Sequence, residues 1–418
     1  MIEWEEVRLG DIAIFRNGLN FSNKSHGDGC KIIGIPDFGD RLIPDYESLG
    51  EINPEGVVKS DDYLKQGDII FVRSNGNKNL VGRSLFINQR NHKLVYSGFC
   101  IRARFLSDKF LPLFYAYFFR TSTFRKLIAG AAGGANIQNL NQGTLSRAIV
   151  PFPSLPIQRR IASILSFYDD LIENNLKRIK LLEELAQRTY EEWFVKFRIN
   201  GEALVIDGKT GLPVGWEKKK LKALCEKIAD GTHDSPKPSN TGYKLITGKH
   251  LMNGDIDFES AYLISKEDHL KIKQRSGLEK KDILFSNIGT LGNVGMVTED
   301  FEYSCKNMII FRPLINHEYF LFAYLMNTKN KERFLGQSSG STQKFISLNY
   351  IRAFEDLLPN VATIANFNDK VKHYYGLINN LYNQNNLLKQ SRDILLARLM
   401  NGTISVAEGE VSFALGAS

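Results

Sequence analysis

PFPSLPIQRRIASILSFYDDLIENNLKRIKLLEELAQRTYEEWFVKF, residues Pro151–Phe197, decides the architecture of this 418-residue chain. With Leu165 as position a of a heptad, Ile172, Ile179, Ala186 and Trp193 follow at a, and Tyr168, Asn175, Leu182 and Thr189 fall at d. A second stretch near the C-terminus does the same. Ile364, Val371, Ile378, Asn385, Arg392 and Leu399 occupy a, and Phe367, Tyr374, Leu381, Leu388 and Leu395 occupy d. A period of 3.5 sustained over about five heptads is a coiled-coil signal. The first helix is expected to run for roughly 40 residues, or about 60 Å at 1.5 Å per residue. A partner of matching length exists only in the second stretch. Asn175 and Asn385 fit the use of buried polar residues to fix register.

Outward from these helices the chain is written twice. WEEVRLGDIA from Trp4 is answered by WEKKKLKALC from Trp216, and GDIIF (Gly67–Phe71) by KDILF (Lys281–Phe285). AGGANIQNLN ending at Asn141 is answered by GSTQKFISLN ending at Asn349, and Val150-Pro151 by Leu358-Pro359. The spacing stays within about 206 to 214 residues, so the order globular unit, long helix is repeated. Short strands are expected at KIIGI, GDIIFVRS and SLFIN, and again at YKLITGKHL, DILFSNIG and NMIIFRPL. LPLFYAYFFR and EYFLFAYLMNTKNKERFL each read as one helix. A turn-rich linker, Arg198–Gly201 and Gly208–Trp216, can reverse the chain and lay the two long helices antiparallel. The fold class is therefore α+β: two mixed α/β domains separated by two long helices in an antiparallel coiled coil, an internal repeat with pseudo-twofold character. The boundaries are a first domain over 1–152, helix 153–200, a second domain over 201–360, helix 361–402 and a tail over 403–418.

Composition narrows the function. The net charge is +8; residues 1–155 carry 19 basic and 15 acidic side chains, residues 199–362 carry 22 and 20. That mild basicity allows an anionic partner without demanding one. Cys30, Cys100, Cys225 and Cys305 lie far apart with no CxxC pair, which argues against zinc and against a disulfide framework. There is no run of eighteen apolar residues and the N-terminus is too acidic for a signal peptide, so a cytoplasmic location without membrane contact is expected. Catalytic signatures are missing too: no HExxH, no GxSxG, and GYKLITGKH (Gly242–His250) has five residues between its glycines and a histidine where a phosphate loop needs Ser or Thr.

What remains are glycine-rich polar loops at matching places. Arg73-Ser-Asn-Gly-Asn-Lys78 and Gly133–Asn139 stand in the first half; Asp230–Lys237, Asn287–Thr290 and Gly340–Lys344 stand in the second. Arg reads guanine edges, Asn and Gln read adenine, and Ser, Thr and Lys hold phosphate. The candidate DNA-binding residues are Arg73, Ser74, Asn75, Asn77, Lys78, Asn136, Gln138, His233, Lys237, Lys249, Asn287, Thr290, Gln343 and Lys344. Singly, each suits an ordinary turn; recurrence in both halves is what favours DNA.

Pro151–Phe197, GLPVGWE (Gly211–Glu217), DGTHDSPKPSNTGYKLITGK (Asp230–Lys249) and ILLARLMNGTISV (Ile394–Val406) together resemble the specificity subunits of type I restriction–modification systems over nearly the whole chain. The second half departs from the pattern at LLPNVATIANFNDKV, which lacks the Pro-x-x-x-Gln step and obscures where its long helix begins. The resemblance implies two target-recognition domains, each reading one half of a bipartite, asymmetric double-stranded DNA site. It also implies helical spacers that dock two methyltransferase (modification) subunits, with restriction (helicase–nuclease) subunits completing the assembly. S-adenosylmethionine, ATP and magnesium would sit on those partners, and this chain would carry no cofactor, metal or active site. Ile161, Ile164, Leu171, Leu176, Leu181 and Leu185 are the outer helix positions expected to face partners. The rival classes are a self-sufficient DNA adenine methyltransferase with an unrecognised motif, and a protein–protein scaffold with incidental basicity.

Overall fold

The computed structural model describes residues 4–21, 25–74, 80–89, 93–131, 139–252, 254–336 and 345–406. The chain divides into two compact units, one formed by 1–174 with 384–418 and the other by 175–383, so each long helix is shared between them.

Alternating and fully apolar short runs build the same pair of sheets in each unit. In the first, a four-stranded antiparallel sheet has the order Ala13–Asn17, Cys100–Phe105, Ile69–Val72, Ser84–Phe86. A three-stranded sheet orders Gly50–Ile52, His26–Ile33 and Leu94–Tyr96, the last two parallel. In the second unit the four strands are Cys225–Asp230, Met308–Pro313, Ile283–Ser286 and Val294–Met296, again all antiparallel. The three are Leu263–Ile264, Tyr243–Ile246 and Ser304–Cys305, again with one parallel pair. The duplication read from sequence is thus a duplication of topology.

A buried bidentate ion pair braces each four-stranded sheet at the same place. Arg104 donates Nε–H and Nη2–H to Asp68, both at 2.7 Å. Arg312 does so to Asp282 at 2.9 and 2.8 Å. Each aspartate also accepts the backbone N–H three residues earlier, from Lys65 and Glu279. Planar guanidinium on carboxylate is the geometry that best offsets desolvation.

The first long helix spans Leu155–Tyr190 and widens into a π turn over Glu191–Val195. Together they meet the expected length of roughly 40 residues; the helix ends where Phe197 takes a left-handed φ of 54° and the chain turns into the hairpin Arg198–Ile199 with Glu202–Ala203. The second runs over Val361–Met400. Its start, obscure in sequence, is set by Asn360, whose Oδ1 accepts the Thr363 N–H at 2.8 Å. The missing glutamine is replaced one turn later. Gln158, fully buried, accepts the Leu111 N–H at 2.8 Å and donates to Lys109 and Pro153 carbonyls. Asn368 accepts the Phe320 N–H at 2.8 Å and donates to Glu318.

The helices pair antiparallel, and each unit shows it. In the first unit Ile161 and Leu165 share a core with Leu396, Leu399 and Met400, and Arg392 Nη1 bonds Asp169 at 2.5 Å. In the second, Ile179 packs on Ile378 and Leu381, and Phe367 meets Trp193 and Phe194 edge-on at 5.8 and 5.0 Å. Residue numbers rise on one helix as they fall on the other. Of the expected seam, Leu165, Ile172, Asn175, Ile179, Ile364, Phe367, Val371, Ile378, Leu381 and Asn385 are buried, while Tyr168, Leu182, Tyr374 and Leu388 are half-buried. Leu165, Ile364, Phe367 and Val371 also belong to the domain cores. Each such side chain contributes about 1.5–3 kcal/mol by burial.

Two expectations need correcting. EYFLFAYLMNTKNKERFL forms two helices, Glu318–Met326 and Thr328–Leu335, because Asn327 is extended (φ −64°, ψ 128°). Of the supposed outer positions, Ile161 is fully buried, Ile164 packs on the first core and Leu176 on the seam; only Leu171, Leu181 and Leu185 are exposed.

Candidate nucleic-acid interface

The sheets end in loops, and the loops singled out by sequence meet. In the first unit Ser74 bridges Asn139, and the Leu140 N–H donates to the Arg73 carbonyl at 2.8 Å. In the second Ile288 bridges Phe345, and the Ile346 N–H donates to the Asn287 carbonyl at 3.0 Å. Two polar, glycine-bearing segments far apart in sequence are therefore joined at their flanks, twice, by the same backbone bond. Asn75, Asn77, Lys78, Asn136, Gln138, Gln343 and Lys344 lie outside the described residues.

More of the expected segments converge in the second unit. The Gly231 N–H donates to the Met308 carbonyl, the Thr232 N–H to the Cys305 carbonyl and the Asn307 N–H to the Thr232 carbonyl. A Cβ at Gly231 would lie 2.8 Å from the Cys305 carbonyl oxygen, so only glycine allows that approach. His233 is exposed, its Nδ1 3.1 Å from Asn307 Oδ1. The Lys306 N–H donates to Ile246, leading to the turn Gly248–His250, which carries exposed Lys249. That turn rests on the loop after Ile283–Ser286: a Cβ at Gly248 would lie 2.8 Å from Ser286 Cβ. Asn293 ties the two by donating to the Gly248 and Leu251 carbonyls at 3.2 and 2.9 Å. Thr290 is exposed on this loop. His250 itself is buried; burial, then neighbouring Lys249, hold its imidazole below the ordinary pKa, and its Nδ1 accepts the Thr247 N–H.

Asn287 departs from the expectation. It is buried and donates Nδ2–H to the Ile346 carbonyl at 3.0 Å, bracing the loop from beneath. Arg73 is half-buried; its Nη1 reaches the Gly98 carbonyl at 3.4 Å.

Sequence reasoning missed the first unit's counterpart of Asp230–Lys237. Asn17–Asn20 occupies that place: Gly18 N–H donates to Cys100, Leu19 exchanges bonds with Tyr96 and Gly98, and Leu19 bridges Ser97 as Thr232 bridges Lys306. Exposed Asn17, Asn20 and Phe99 crown it; Gly98, whose N–H donates to Leu19 as Asn307 donates to Thr232, stands where Asn307 stands, and Phe99 is an added residue. The repeat offset, applied to His233, would have found Asn20.

Charge counting also overstated the free positive charge. Arg16 pairs with Asp62 at 2.6 Å, Arg104 with Asp68, and Arg312 with Asp282 and Glu279. Lys237 and Lys249 are exposed and, among the described residues, carry no ion pair.

A family model described as the type I restriction modification DNA specificity domain matches residues 1–184 and again 213–396. The chain belongs to this specificity-subunit family. It is 27% identical over 301 residues to the MjaIX specificity subunit of Methanocaldococcus jannaschii, across 70% of this chain and 69% of that one. It is 25% identical over 375 residues to the StySPI specificity subunit of Salmonella potsdam, across 84% and 78%. The crystal structure of the S subunit from M. genitalium shares the fold, with a TM-score of 0.51 at 15% identity over 96% of each chain. Each matched copy combines a globular domain with most of a long helix, the repeat unit read from the sequence. The protein is a type I specificity subunit, a component that recognises DNA sequence and assembles with modification and restriction subunits, rather than a catalyst. No helix among the described residues is long and apolar enough to cross a membrane.

Proposed function

We propose that each globular domain of this specificity subunit reads one half of a bipartite, asymmetric double-stranded DNA site through the loops joined at 73–74 with 139–140 and at 287–288 with 345–346. The observation that carries this is the repeated backbone bond between those loops, on which the two halves mount different side chains. Asn17, Asn20, Arg73, Ser74 and Phe99 would serve one half-site; His233, Lys237, Lys249, Thr290 and Asn307 would serve the other, with Asn287 as their brace. The candidates Asn75, Asn77, Lys78, Asn136, Gln138, Gln343 and Lys344 belong to the same loops. The paired helices would set the number of unread base pairs, and holding both half-sites at once supplies an effective-concentration gain.

Exposed Phe167, Leu171, Leu181, Leu185, Leu377, Leu387 and Ile394 on the long helices suit docking of two modification subunits. S-adenosylmethionine, ATP and magnesium would be held by the partners, in the cytoplasm. The test is methylome sequencing of cells carrying the assembled system. Replacing Asp230–Lys237 should change the letters of one half-site and leave the other intact; inserting one heptad in both helices should change the gap and no letters. Altered letters in both half-sites after the loop replacement would sink the assignment.

A further inference from the structure

Within the second unit the long helices and the globular domain line a partly open cavity of about 140 Å³. Tyr319, Phe322, Tyr375 and Tyr382 form its aromatic wall, with Met296 and Met326 beside them. Tyr319 and Tyr375 stack at 5.1 Å and 5°, and Phe322 meets Tyr375 edge-on at 5.2 Å. Two carboxylates, Glu183 and Asp255, face the same space; no Lys, Arg or His lines it among the described residues. One cation reaches the wall from outside: Lys281 Nζ lies 5.9 Å from the Tyr319 ring centroid and is paired with Glu318.

Glu183 is half-buried, and its only hydrogen bond among the described residues is a long one, from the Tyr382 hydroxyl at 3.5 Å. Burial, then nearby Asp255, outweigh that bond and push its carboxyl up to about 7. A buried carboxylate is costly without a cation. Gly254, at φ +99°, brings Asp255 in: its Cβ position lies 3.2 Å from the Phe322 ring, so a side chain there would collide with the wall.

We propose that this cavity is a cation-binding site taking a primary alkylammonium or guanidinium group, with the Glu183 carboxylate supplying charge and the aromatic rings supplying cation–π contact. Ring faces attract such groups most strongly when desolvated, and methionine sulfur adapts to an alkyl stem. The volume is below the roughly 300 Å³ of drug-sized sites, which suits a short alkyl chain rather than a nucleoside. Two sources carry this chemistry: a free polyamine, or a Lys or Arg side chain of a bound partner subunit.

Calorimetric titration of the full chain with 1,4-diaminobutane, and with 1,4-butanediol as neutral match, tests the site. A saturable single site for the diamine and none for the diol is expected. Affinity should fall about tenfold for each pH unit below 7, as the carboxylate is lost. Glu183→Gln should abolish binding. That variant should fold well: a carboxyl raised on folding contributes stability only at low pH, lost as pH rises through about 7, so the glutamine raises the unfolding temperature above that point. Gly376→Leu, whose Cβ meets nothing within 4 Å, narrows the mouth and should block the diamine without unfolding the chain. Displacement of the diamine by an added modification subunit identifies the occupant as a partner side chain; simultaneous binding identifies a free amine. Equal binding of the diol, binding that survives Glu183→Gln, or no saturable diamine binding overturns the proposal.

Discussion

The two globular domains share a scaffold and differ in what they mount on it. Asp68–Arg104 and Asp282–Arg312, the parallel strand pairs and the loop-joining backbone bonds coincide. The side chains at the joined loops do not: Arg73-Ser74 stands against Asn287-Ile288, Gly98-Phe99 against Asn307, and Asn17–Asn20 against Asp230–His233. Backbone bonding and buried charge hold geometry fixed, while exposed positions vary at little cost in stability. Under the proposed function, that division would let one architecture read two unlike half-sites.

The comparison can be broken by mutation, most sharply at the buried pairs. Asp68→Ala removes the buried carboxylate from Arg104, and Asp282→Ala leaves Arg312 only the exposed Glu279; each should cost about 3–5 kcal/mol, read by denaturant unfolding. A large loss in one half and none in the other would dissolve the equivalence. Gln158→Leu and Asn368→Leu each orphan a backbone N–H at the helix approach and should cost about 1–3 kcal/mol. Near-equal losses would support the view that Asn368 replaces the missing glutamine.

Glycine contacts sharpen the difference between the halves. A Cβ at Gly18 would fall well inside contact distance of the Ser97 and Tyr96 carbonyl oxygens, a tighter clash than at Gly231. Gly18→Ala should therefore destabilise more than Gly231→Ala, within the roughly 1–3 kcal/mol typical of overpacking. At the far end, Phe99→Ala, at an exposed position, should move unfolding by less than about 0.5 kcal/mol. Lys237→Ala and Lys249→Ala should each lower the salt slope of DNA binding by about 1 without altering sequence preference. A change of half-site letters on removing either lysine would move it from phosphate contact to base reading.

Much of the fold was legible because its signals are local. The heptads from Leu165 and from Ile364 need only neighbouring residues to be seen, and all their a positions are buried. The candidate site was half legible. Composition found Lys249 and Thr290, whose turns the structure packs together through Gly248 on Ser286. It overlooked Asn17–Asn20, because a short Asn-Gly turn looks ordinary until its partner at Ser97 is known. It also placed Asn287 at the surface, since an asparagine that braces and one that reads are the same letter.

By itself the sequence determined the duplication, the antiparallel helix seam and the family, all of them carried by periodicity and by residues repeated at a constant offset. The tertiary structure alone decided which loops touch, which arginines are already spent on aspartates, and that a cavity lined by Glu183 and four aromatic rings exists. Those features depend on strands and helices from 30 to 199 residues apart packing at ångström distance, and no local pattern along the chain encodes such a meeting.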